Sequence, residues 1–167
     1  MKKALLGTAV LVSGLFLFCS KVFAAGYTEI GEYGRPGVLV IEDSEEQIQE
    51  EIFLGELELL AQLVEAEAGN QDFEGKCLVV DVILNRVESD EFPDTITEVI
   101  FQEGQFSVIK NGAFDKAAWN MQESDYAAVM CEVSMHQNKD VLYFHNCSKV
   151  AGTGKKFKVG DHWFREG

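Results

Sequence analysis

One carboxylate in this sequence stands where an apolar residue belongs. Phe53, Leu57, Leu60 and Val64 recur at helical spacing, and the next position on that stripe is Glu67. A carboxyl there is half buried at the end of its helix. Burial and the negative end of the helix dipole both disfavour its ionised form. A carboxyl held protonated near neutral pH is what a general acid requires. The competing role is structural: capping a neighbouring helix or pairing with Arg86, and the stripe alone favours that role. Ala66 and Ala68 are small and leave room for a bulky ligand, and Gly69 lets the chain turn away. Glu74 is the one credible second carboxyl, although the first turn of a helix suits an acid on electrostatic grounds alone. Glu65 is expected on the opposite, solvent face, and Asp72 reads as an N-cap.

These groups need elements to hold them. Two helix-like runs flank the polar break Gly69-Asn70-Gln71-Asp72. The first extends from Ser44 or Glu45 to Ala68. The second, Phe73–Glu88, is apolar except for a narrow stripe through Asp81, Asn85 and Glu88, which makes it the central helix of the core. Pro93 is expected to open a third helix, Pro93–Phe101. Gly104–Ile109 reads as extended, with Phe106 in the core and Gln105 and Ser107 facing either a cleft or plain solvent. A short helix is expected around Asp115–Met121. Ser124 is read as the cap of a longer one, with Tyr126, Val129, Met130 and Val133 on its apolar face. Val141–Asn146 and Phe157–Phe164 read as two strands, with Tyr143 on the same face as Val141 and His145. The sum is an α+β domain, mainly helical with a small antiparallel sheet.

The chain has 167 residues, enough for one domain with a real core. Residues 1–24 read as a signal peptide: Lys2-Lys3, a short apolar run, then Val22-Phe23-Ala24 before Ala25. Residues 25–46 read as a glycine-interrupted, acidic extension, and 47–167 as the functional domain. The localisation expected is secreted, with no stable membrane span after cleavage. The formal charge of −14 makes nucleic acid a poor partner. Cys77, Cys131 and Cys147 remain after cleavage, so at most one disulfide can form within a monomer, and its pairing stays open. There is no CxxC pair, and His136, His145 and His162 are not at zinc-site spacing; no metal and no cofactor are expected. His162 beside Trp163 and Phe164 reads as structural.

Several segments together resemble a known family. Glu67-Ala68, Glu74-Gly75 and Val82-Ile83-Leu84-Asn85-Arg86-Val87 are similar to the signature of the spore-cortex-lytic cell wall hydrolases (SleB/CwlJ type). Phe92-Pro93-Asp94-Thr95-Ile96, Gln105-Phe106-Ser107, Val141-Leu142-Tyr143-Phe144, Asn146 and Gly160-Asp161-His162-Trp163-Phe164 follow in the family's order. Cys147, where the family often has proline, and the short basic stretch Gly152–Lys158 depart from it. The resemblance implies a lysozyme-like fold and peptidoglycan glycan strands as the partner. It implies lytic transglycosylase cleavage of the β-1,4 bond between N-acetylmuramic acid and N-acetylglucosamine. The family's catalytic glutamate corresponds to Glu67. Gln105, Ser107, Tyr143 and Asn146 are the candidate substrate-binding residues. The alternatives are a hydrolysing muramidase of the same fold, with Glu74 as second carboxyl, and a secreted wall-binding or regulatory protein without activity.

Overall fold

The computed structural model describes residues 45–146 and 152–167. The expected signal peptide, nearly all of the expected extension, and Cys147 lie outside the described residues. The elements in order are α1 (Glu45–Ala68), α2 (Phe73–Glu88), α3 (Ile96–Phe101), α4 (Ser107–Asn111), α5 (Ala113–Ala117), α6 (Glu123–Met135), β1 (Val141–His145), β2 (Lys156–Val159) and β3 (His162–Glu166). Among the described residues no helix is long and apolar enough to cross a membrane.

α1 packs only through its second half. Residues 45–52 are exposed, whereas Leu60, Ala61, Leu63, Val64 and Ala68 are fully buried. α2 starts where Asp72 caps it, its Oδ1 accepting the Gly75 N–H at 2.9 Å. From Gly75 to Arg86 every residue of α2 is buried. Of the expected polar stripe, Asp81 and Asn85 are buried too, and only Glu88 is exposed. Asn85 is 4% exposed and donates from Nδ2 to the carbonyls of Asn138 and Val141, both at 2.7 Å. Helix α2 is thus the axle of the domain, with α1, α3, α6 and β1 packed around it.

The later elements correct the sequence reading in several places. α3 begins at Ile96, after Pro93. Thr95 is its N-cap: the Thr95 hydroxyl accepts the Glu98 N–H at 3.1 Å and donates to the Glu98 carboxylate at 3.0 Å. Gly104–Ile109 is no strand. Phe106 alone is extended (φ −120°, ψ 117°), and Ser107 begins α4. The segment does not join the sheet, so its backbone groups are met locally in a helical turn. The short helix expected around Asp115–Met121 is α5, which starts and ends earlier.

α6 is capped by Gln122 rather than Ser124, in a capping box with Asp125. Its buried face is Asp125, Ala128, Val129 and Glu132, while Tyr126 and Met130 are each 43% exposed. Two acids point inward because each has partners there. Lys76 reaches Asp125 at 2.7 Å, and the Gln137 backbone and side chain both donate to Glu132.

Phe157–Phe164 is a hairpin, not one strand. The turn is Gly160-Asp161, and Gly160 takes a left-handed conformation (φ 54°) that favours glycine. The sheet order is β1-β3-β2, all antiparallel. Phe144, Phe157 and Phe164 stack across it, with ring centroids 5.7–5.9 Å apart. The pairing of β1 shifts between Val141 and Tyr143. Simple alternation therefore fails: Val141 is buried, and Tyr143 is only half buried.

Candidate active site

Glu67 lies in the last turn of α1, half buried, between Ala66, which packs on the core, and the fully buried Ala68. The helix ends there because Gly69 closes against the Glu65 carbonyl (N–O 3.1 Å). A Cβ on residue 69 would stand 2.6 Å from that oxygen, so the turn needs glycine. No hydrogen bond or ion pair reaches the Glu67 carboxyl from another described residue. Burial alone raises its pKa above the ordinary carboxyl value.

The structural roles that competed for Glu67 are filled by other groups. Arg86 donates from Nε to the Leu142 carbonyl at 3.0 Å. Its guanidinium lies over the rings of Phe92 (4.9 Å), Phe106 (5.4 Å) and Tyr143 (5.7 Å). Glu65 is not on a solvent face, as the sequence reading had it. It is half buried beside the start of α6, within 3.5 Å of Gln122 Nε2, and burial together with the nearby Asp125 raises its pKa. Glu74 is exposed in the first turn of α2.

Gln71 fixes what stands opposite the helix break. Its Oε1 accepts the Asp161 N–H at 2.8 Å, and its Nε2 donates to Asp161 Oδ2 at 3.3 Å. The β2–β3 turn is thereby fastened to the α1–α2 junction. β1 runs from the far end of α2, where Asn85 holds Val141, towards this turn, where His145 lies opposite Trp163. Asn146 is thus delivered, exposed, to the Glu67 end of the domain. His162 is there as well, 7% exposed and packed against Phe144 at 5.4 Å. Burial lowers its pKa, and its Nδ1 has no hydrogen-bond partner among the described residues.

The remaining candidates lie along the sheet and its flank. Gln105 and Ser107 are exposed on either side of Phe106, whose ring meets Phe144 at 6.3 Å. The expected alternation about Phe106 is therefore present, although the strand is not. Tyr143 sits midway along β1. The Arg165 guanidinium covers one face of its ring at 3.8 Å, so that face is closed to a sugar. No hydrogen bond or ion pair joins Glu67 to Gln105, Ser107, Tyr143 or Asn146. A shallow cavity of about 530 Å³ beside Asn85, Glu88 and Lys139 is at the opposite end of α2 and does not include Glu67. Cys77 and Cys131 are free thiols. What the sequence reading missed is the anchoring of the hairpin by Gln71, for which the only signal was the turn pair Gly160-Asp161.

A protein-family model described as Cell Wall Hydrolase matches residues 70–165, beginning just after Glu67. The spore cortex-lytic enzyme of Bacillus subtilis is 29% identical over 119 residues, which are 66% of this chain and 37% of that protein. The spore cortex-lytic enzyme of Oceanobacillus iheyensis is 40% identical over 57 residues, 34% of this chain and 21% of that one. The chain therefore matches only about a fifth to two fifths of the length of these relatives. Among solved structures, the catalytic domain of the Bacillus cereus SleB protein matches with a TM-score of 0.58 and 27% identity, covering 68% of this chain and 91% of that one. The catalytic domain of the germination-specific lytic transglycosylase SleB from Bacillus anthracis matches with a TM-score of 0.55 and 25% identity, covering 66% and 93%.

Proposed function

The chain belongs to the cell wall hydrolase family, and from that membership we propose that it cleaves the β-1,4 bond between N-acetylmuramic acid and N-acetylglucosamine as a lytic transglycosylase. The observation that carries the proposal is Glu67: a half-buried carboxyl at a helix end, without a hydrogen-bond or ion-pair partner among the described residues, its pKa raised by burial. In this reading the protonated Glu67 donates to the glycosidic oxygen while positive charge builds at C1 of the muramic ring. The C1–O bond breaks, and N-acetylglucosamine leaves with the proton. The Glu67 carboxylate then takes the proton of the muramic 6-hydroxyl, whose oxygen closes on C1 to give a 1,6-anhydro ring. Glu67 ends protonated, ready for the next bond. One carboxyl serves both steps, whereas hydrolysis by the common routes uses two.

Gln105, Ser107 and Asn146 are exposed polar groups suited to hydrogen-bonding sugar hydroxyls, and half-buried Tyr143 adds its hydroxyl. The names of the matched relatives support spore cortex as the substrate. Export through residues 1–24 is part of the proposal, and protein recovered from outside the cell should begin at Ala25. The test is digestion of spore cortex and vegetative wall by the chain, with products weighed by mass spectrometry. Anhydro-muramic ends from cortex support the proposal. Reducing ends point to the muramidase reaction, with Glu74 to be examined as second carboxyl.

A further inference from the structure

On the side of α2 that faces α6 there is a second cluster of reactive groups. The Cys77 thiol of α2 and the Cys131 thiol and Glu132 carboxylate of α6 have their donor atoms all within 4.8 Å of one another. Cys77 and Glu132 are 7% and 1% exposed, and Cys131 is half exposed. An independent observation points into the same cluster. Asp81, one helical turn beyond Cys77, is fully buried, and among the described residues no well-formed hydrogen bond reaches either carboxylate oxygen, the nearest donors being those of Asn138. Its carboxyl lies against that of Glu132, with Asn138 alongside.

Among the described residues no cation is ion-paired with these groups, although the His136 ring lies near enough to Glu132 to feel its charge. Lys76 is committed to Asp125 and Ser124. His136 contacts Asn85 Oδ1 at 2.8 Å and Glu88 at 3.6 Å, and Arg86 is turned towards Leu142 and the aromatic rings. An unpaired carboxylate in a dry interior is strongly unfavourable, so buried carboxylates are paired, protonated or bound to metal.

We propose that the clustered Cys77, Cys131 and Glu132 bind one thiophilic divalent cation, with zinc the best match, that pins α2 to α6, and that the Asp81 carboxyl, which lies against Glu132, turns in as the fourth donor. Two thiolates and two carboxylates are a tetrahedral donor set that suits zinc and disfavours calcium and magnesium. Tetrahedral zinc with Zn–S near 2.3 Å sets the two sulfurs roughly 3.8 Å apart, within the spread of the cluster. Binding deprotonates both thiols and any proton held between the carboxyls, and all leave to solvent, so affinity rises with pH. Half-exposed Cys131 is the point of entry. The Gln137 side chain, 3.1 Å from Glu132 and 3.7 Å from Cys131, covers it. The site lies apart from the groups assigned to glycan cleavage and does not depend on that assignment.

The test uses the full chain carrying Cys19→Ser and Cys147→Ser, kept reduced, so that Cys77 and Cys131 are the thiols left. Titration with cobalt(II) should give a thiolate-to-cobalt charge-transfer band and tetrahedral ligand-field bands that saturate at one ion per chain. Zinc should displace the cobalt. Zinc at a hundredfold excess over its dissociation constant should raise the unfolding midpoint by on the order of 10 °C. Cys131→Ser, at a half-exposed position that leaves the fold intact, should cut the charge-transfer band by half or more and weaken binding at least tenfold, and Asp81→Asn should weaken binding at least tenfold. The proposal is overturned if the bands are absent, if Cys131→Ser leaves their intensity and the affinity unchanged, or if the natural chain isolated without reductant has Cys77 and Cys131 joined in a disulfide.

Discussion

Replacing Lys76 with methionine probes how α2 and α6 hold each other. Lys76 Nζ is 2.7 Å from Asp125 Oδ1 and 2.8 Å from Ser124 Oγ, and the two charged side chains are 3% and 0% exposed. Asp125 Oδ2 also accepts the Gln122 N–H at 2.7 Å in the capping box of α6. Lys76→Met keeps most of the stem's volume and removes the charge, which leaves the Asp125 carboxylate buried without a cation. Removing one partner of a buried pair costs about 3–5 kcal/mol, against about 0–1 kcal/mol for an exposed pair. The burial of both partners assigns this pair to the first class. For a domain of this size the unfolding midpoint should fall by roughly 10–20 °C. Urea and thermal unfolding followed by circular dichroism measure this. Adding Asp125→Asn to Lys76→Met should recover part of the loss, because a neutral amide needs no cation. A loss below about 1 kcal/mol in the single variant, or no recovery in the double one, would refute the reasoning.

Other outcomes follow from the same geometry. Because burial raises the Glu67 pKa in the folded state, Glu67→Gln should be the more stable form above the ordinary carboxyl range. The gap should be absent at pH below the unfolded carboxyl value, where both states are protonated, and should open as pH rises towards the folded value; urea unfolding at several pH values reads it. Wild-type turnover should fall on the alkaline side as Glu67 ionises, in a pH–rate profile. Gly160→Ala should cost roughly 1–2 kcal/mol, because it forces alanine into a left-handed turn and drives a methyl against Gln71 Oε1. Gln71→Ala should loosen the same hairpin without strain, seen as faster amide exchange in β2. Gln105→Ala and Ser107→Ala, both at exposed positions, should leave stability within about 0.5 kcal/mol and weaken glycan cleavage in the digestion assay.

Local signals were legible where the chain itself supplies the partner. The end of α1 at Ala68 and the whole of α2 follow from Gly69 and the Asp72 cap, and both agree with the sequence reading. The inward turn of α6 was not legible. Asp125 and Glu132 look like surface acids until Lys76 and Gln137 are brought to them, and Lys76 comes from a distant part of the chain. The same holds for the thiol and carboxylate cluster, since Cys77 and Cys131 carry no spacing that marks them as neighbours. Phe106 was correctly read as core, but alternation over so few residues does not distinguish a strand from a bend entering a helix. For Glu67, periodicity predicted its partial burial. That no described group pairs with it needed the positions of Arg86 and the sheet.

The most direct test of the account is Glu67→Gln digested against wild type on purified spore cortex, with products read by mass spectrometry. The account predicts anhydro-muramic ends from the wild type, and from a variant with an unchanged circular dichroism spectrum a rate at least about a hundredfold lower. A folded Glu67→Gln variant that solubilises cortex at the wild-type rate would contradict it.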